Sequence, residues 1–122
     1  MVSRNTLEFV VGLTTAGVVA GILSLSVETA YALAIGLAAG TPALVRTSSR
    51  LDRDAYEAAR SGSEQVVDGA LAAASTAVVG LAGGYLAVSN GFEGPVAIAV
   101  AAATGVFAGQ LAFYARNAEY IG

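Results

Sequence analysis

At 56% hydrophobic and only 12% charged residues, with a mean hydropathy of +0.69, this 122-residue chain is too apolar for a soluble domain and fits a single domain held in lipid. It has neither Cys nor His, which removes disulfides, thiol chemistry, haem ligation and the usual zinc sites and leaves carboxylates as the only side chains suited to a metal. The six basic residues are all Arg, set against nine acidic ones for a net charge of −3.

In chain order, Asn5-Thr6-Leu7-Glu8 reads as a capping box, and residues 9–27 follow without a charge. Nineteen residues at 1.5 Å each span about 28 Å, enough for one membrane crossing. Ala30-Tyr31-Ala32 resembles a signal-peptide cleavage site, but the apolar run is longer than a usual signal core and Glu8 offsets Arg4, so the first span is expected to be retained. Around Ser26 and Glu28 the chain is expected to turn, with Ser26 as the cap of a second span over 29–45. Pro42 is expected to kink that span or end it early.

Residues 46–68 form a polar inner loop. Within it, Ser49-Arg50-Leu51-Asp52 can start a short helix in which Arg50 with Asp54 and Arg53 with Glu57 stand four apart, and Ser61-Gly62-Ser63 ends it. This reads as a solvated connector; alternatively it is a docking site with Tyr56 as its one sizeable anchor. A third span covers 69–89, the turn Asn90-Gly91-Phe92-Glu93-Gly94-Pro95 places Pro at the start of the next helix, and a fourth span covers 96–115. Tyr31, Phe92, Tyr114 and Tyr120 fall where aromatic side chains rest at a membrane interface.

The arginines set an orientation. Arg4 precedes span one, Arg46, Arg50, Arg53 and Arg60 lie between spans two and three, and Arg116 follows span four, whereas the two alternate connections hold only Glu28 and Glu93. Because loops on the inner side of a membrane are enriched in Arg and Lys, both termini and the middle loop are expected inside. The fold expected for residues 1–122 is thus an all-α, integral membrane four-helix bundle built from two hairpins, N-in and C-in.

Each span carries Gly-x-x-x-Gly: Gly17/Gly21, Gly36/Gly40, Gly80/Gly84 and Gly105/Gly109. Glycines four apart share one helix face and let backbones approach closely, so these eight are the expected packing residues, within the bundle or toward a second copy or another membrane protein. Gln110 follows the last motif, and its amide is expected to bond across helices to Thr41 or a Thr of span one. The halves also look related as a parallel repeat. Residues 20–26 match 83–89, and Gly36-x-x-Ala39-Gly40-x-x-Ala43 matches Gly105-x-x-Ala108-Gly109-x-x-Ala112.

No ionisable residue falls in the middle of a span, where ion paths and proton relays place theirs. No nucleophile–base set, close carboxylate pair or phosphate loop is present, so no catalytic, cofactor or metal residue is assigned. On the inner side the acids slightly outnumber the arginines, which argues against nucleic-acid binding. The expected role is non-enzymatic: a structural or partner-binding component in contact with membrane lipid, the alternative being a small channel, holin-like pore or transporter subunit.

Composition adds a setting, since an acidic, Lys-free, Ala/Gly/Val-rich chain fits a GC-rich, salt-adapted genome. In size, four spans and inward arginines the chain resembles the small internal membrane protein of haloarchaeal pleomorphic viruses. That resemblance implies a structural part of a viral envelope beneath a separate spike protein. Fluoride channels have a similar length, but their span-one Arg–Gly motif is not here, and the deep span-one Glu of small multidrug transporters has no counterpart in Glu8.

Overall fold

A computed structural model describes residues 3–48 and 50–121. Its helices are α1 (Arg4–Leu23), α2 (Thr29–Arg46), α3 (Arg53–Ala59), α4 (Gly62–Ser89) and α5 (Pro95–Arg116), followed by a 3-10 turn at Ala118–Tyr120. The caps explain the boundaries and move several of them. Ser3, not Asn5, caps α1 by accepting from the Thr6 N–H at 3.1 Å. Glu28 rather than Ser26 is the residue before α2. Asp52 caps α3 through the Ala55 N–H. Ser61 and Glu64 form a reciprocal capping box that opens α4, so the Ser-Gly-Ser stretch expected to end the loop helix instead starts the next one. At the second hairpin tip Gly91 (φ 88°) and Gly94 (φ 61°) take left-handed backbone before Pro95 enters α5, as the turn sequence required.

Not all four expected spans have the length and apolar composition of a crossing. Helices α1, α4 and α5 are long and apolar enough to cross a membrane; α2 is not. It has eighteen residues, diluted by Thr29, Thr41 and Pro42 and ended by Arg46. Pro42 does not stop it, and α2 runs four residues further. Position sets α2 apart: it buries eight residues, among them Ala30, Ala34, Gly36, Gly40 and Thr41, whereas α1 buries only Gly12 and Ala16. At its other face α2 meets the tightly packed pair α4 and α5, and α1 packs chiefly on α2. The architecture is a three-helix core of α2, α4 and α5 with α1 laid against one side.

Glycine sets the spacing at every seam. A β-carbon at Gly36 would lie 2.5 Å from the Ala16 carbonyl oxygen, and one at Gly40 the same distance from that of Gly12. In the second hairpin a β-carbon at Gly105 would lie 2.8 Å from the Thr76 oxygen, and Gly109 packs on Ala72 and on the Thr76 hydroxyl. Gly80 meets α2 at Ala34 and α5 at Ala101, while Gly84 meets Ala101 and the Tyr31 ring. Six of the eight expected packing glycines therefore sit in seams.

Gly17 and Gly21 do not: a β-carbon at either would touch nothing among the described residues. Their place at the α1–α2 seam is taken by Gly12, Ala16 and Ala20, a small-x-x-x-small series whose next neighbour in sequence, Gly17, is turned about 100° away. The hairpins thus pack alike, but Ala16 and Ala20 correspond to Thr76 and Gly80, nearly one turn out of register with the match read from residues 20–26 and 83–89.

Overpacking a seam is expected to cost roughly 1–3 kcal/mol, so Gly40→Ala and Gly105→Ile should lower unfolding stability in detergent. Gly17→Ala should not, since it adds a better helix former in open space. Denaturant titration of the purified variants checks this; equal losses at Gly17 and Gly40 would contradict the assignment of the seam.

Candidate functional site

The polar chemistry gathers at one end, where α1 and α4 begin and α2 and α5 finish. At about 42 Å for 28 residues, α4 outruns the roughly 30 Å of a hydrocarbon layer, and its first turns carry Glu64 and Asp68 into this region. The segment expected as a solvated connector folds inward here. Tyr56 of α3 is fully buried, its ring 5.4 Å from that of Phe113 and 6.0 Å from that of Tyr120, in a small core with Val45, Leu51 and Ala72. It anchors α3 to its own bundle and is not an exposed docking residue. The tail joins in: the Asp52 N–H donates to the Tyr120 carbonyl at 2.8 Å, and Ser48 and Tyr114 share a hydroxyl contact of 2.8 Å.

Two ion networks fasten this cap. In the first, Asp68, buried on α4, accepts from the Arg116 Nε at 2.7 Å and from the Tyr56 hydroxyl at 2.9 Å, joining α3, α4 and the end of α5. Arg60 extends it, donating to Asn117 Oδ1 and to the Arg116 carbonyl and lying over the Tyr120 ring. In the second, Glu57 of α3 pairs with Arg53 at 2.7 Å, Arg4 at 2.6 Å and Arg46 at 3.6 Å, while Glu8 of α1 pairs with Arg53 at 2.5 Å and Arg46 at 3.3 Å. Arg53 also donates to Asn5. Three arginines and two glutamates so tie α1, α2 and α3 together. The Arg53–Glu57 spacing was legible in sequence; the other partners come from helices distant along the chain. Arg50 lies exposed in the turn before α3.

The interhelical bond expected of Gln110 is made by another pair. The Thr41 hydroxyl lies 2.9 Å from that of Thr76, which in turn donates to the Ala72 carbonyl; the Gln110 side chain, partly exposed, makes no hydrogen bond among the described residues. Thr76 wins because it stands beside Gly109, where α2, α4 and α5 come closest. At the opposite end the hairpin tips enclose an open cleft of about 550 Å³, with Glu28 and Glu93 among its lining residues.

As chemistry, the arginine-rich end is a clamp. Its carboxylates are engaged by guanidinium groups, burial and the bond to Asp68 push the Tyr56 phenol up so that it stays neutral, and among the described residues no group of three or more His, Cys, Asp or Glu is placed to hold a metal. Compared with known proteins, the chain matches no family model, no curated protein and no solved structure.

Two outcomes follow from the clamp. Arg116→Ala leaves Asp68 charged and buried, whereas Asp68→Asn removes the charge and keeps a partner for Tyr56, so the first should be the more destabilising, with a loss on the order of 3 kcal/mol; thermal unfolding of both variants tests the order. The hydrogen bond from Arg53, helped by Arg4 and opposed by burial, holds Glu57 below its ordinary 4.5. A depressed folded-state value contributes stability above the unfolded value that is lost as pH falls through the folded one. Glu57→Gln should therefore flatten the acid limb of a stability–pH curve below about pH 4.5.

Proposed function

We propose that this chain is a non-enzymatic membrane protein with a structural, partner-binding role, and that α1 is the helix through which it associates with a copy of itself or with another membrane protein. The observation that carries this reading is the fate of the glycine motifs. Three are engaged in internal seams, and the fourth, Gly17/Gly21, stays open on the helix with the least internal contact. Around it Leu13, Val18 and Ile22 are exposed and would face lipid or a neighbour. Close helix approach without a side-chain barrier is how membrane helices gain contact where lipid supplies no hydrophobic drive.

In this reading α2 is a fourth crossing, sheltered by α1, α4 and α5, and the clustered arginines face the inner side, with both termini there. The setting we propose, on composition alone, is the membrane of a salt-adapted host or the envelope of its virus. A channel or transporter is less well supported: the seams lack room for a single extra carbon, and among the described residues the one buried charge, Asp68, is held at the bundle end by Arg116, leaving the Thr41 and Thr76 hydroxyls between the helices.

Crosslinking in the membrane should capture α1 beside itself or a partner, and Gly17→Ile with Gly21→Ile should abolish that product while leaving monomer stability intact. Single cysteines at Asp54 and Glu119 should be shielded from an impermeant outside reagent and cysteines at Thr29 and Asn90 should react. Selective ion flux in liposomes would overturn the structural reading in favour of a pore.

A further inference from the structure

Between α2 and the start of α4 a lateral groove of about 430 Å³ runs along the bundle. Its polarity changes along its length. Arg46, Gln65 and Gly62 line the end nearest the ion clamp; Pro42 and Gly69, which approach closely enough that a β-carbon on Gly69 would lie 3.2 Å from the proline ring, mark the other end with Ala70. From Gly62 to Gly69 is about 10 Å along the helix. Val66, 71% exposed, and Ala70, also exposed, form an outer rim on the side of α4 turned away from the core, so the groove opens sideways.

No carboxylate lines this groove, and its one charged residue is under-engaged. The ion pairs of Arg46 are the two longest in its network, 3.3 and 3.6 Å, and both carboxylates are shared with closer arginines. Its Nε–H is shut off from solvent and meets no acceptor among the described residues. Counting Arg4, Arg46 and Arg53 against Glu8 and Glu57, the network carries one positive charge in excess.

We infer that this groove binds one anionic phospholipid, its phosphate on the Arg46 guanidinium and an acyl chain lying past Pro42, Gly69 and Ala70. A head-to-tail change from charged to apolar over one lipid's upper length, open to the side, matches an amphiphile and not a free ion. Basic pockets between membrane helices at the inner face take anionic headgroups for the same reason. The inference rests on the membrane placement proposed above.

Native mass spectrometry of the full chain in detergent, titrated separately with dioleoyl-phosphatidylglycerol, dioleoyl-phosphatidylcholine and inorganic phosphate, tests it. One phosphatidylglycerol should be retained with about fivefold preference over phosphatidylcholine, the discrimination one arginine provides near a membrane surface. Arg46→Gln should remove the preference, Val66→Trp should block retention of either lipid from the outer rim without touching the clamp, and Arg50→Gln, which lowers the charge equally elsewhere, should change nothing. Equal retention of the two lipids, or an unaltered preference in Arg46→Gln or Val66→Trp, would overturn the site while leaving the membrane placement standing. Full displacement of the lipid by inorganic phosphate would make it a soluble-anion site and likewise overturn it. A chain that stays soluble without detergent and retains no lipid would overturn the membrane placement itself.

Discussion

Everything in this molecule depends on how closely α2 lets its neighbours approach. Apolar side chains gain nothing by leaving lipid for protein, so helices in a membrane hold together by contact and by the few polar bonds they can make. Contact is maximal where nothing projects, and α2 presents Gly36 and Gly40 toward α1 and Ala34 and Thr41 toward α4 and α5. Two small faces on one helix make it the hub. It is also the shortest of the four long helices and the one with the most buried residues.

A core of such small residues provides little to fix register beyond steric fit, and the polar groups add direction. The Thr41–Thr76 contact lies where three helices converge, a place in which a hydroxyl that failed to find a partner would be costly. At the arginine-rich end the same logic operates with charges. A buried Asp68 is tolerable only because Arg116 and Tyr56 meet it from two other elements, and that requirement orders α3 and the C-terminal turn against the bundle. Arginines gathered at one end of the bundle are thus the groups that close the helix ends there.

These two demands leave α1 with a divided role. One of its faces, Gly12, Ala16 and Ala20, is committed to α2, and its first turn is held by Glu8 and Arg4 in the clamp. Gly17 and Gly21 stand on another face, where an added β-carbon would meet nothing among the described residues. A helix anchored at one edge and smooth on another is suited to lateral assembly, which is why the functional proposal centres there and not on the polar end, whose groups are largely occupied with one another.

Much of the local structure was legible in the sequence. The helical segments follow from apolar runs bounded by Ser, Gly and Pro; the second hairpin turn follows from Asn90 through Pro95; and the packing role of Gly36, Gly40, Gly80, Gly84, Gly105 and Gly109 follows from their spacing. Spacing alone could not tell which small face of α1 meets α2, since Gly12, Ala16 and Ala20 form one series of small residues four apart and Gly17 and Gly21 another, with Ala16 and Gly17 adjacent in the chain. Hydropathy could not reveal that α2 is central, nor could charge patterning reveal Tyr56 and Asp68 as partners, because each depends on which elements stand side by side. The sequence by itself determined that helices form over the apolar runs, where the second hairpin turns and that the arginines gather at one end, since turns and apolar runs act through neighbours in the chain. Only the tertiary structure decided which glycine face was used and which stayed open, because close packing and buried charge are settled between residues that the chain keeps far apart.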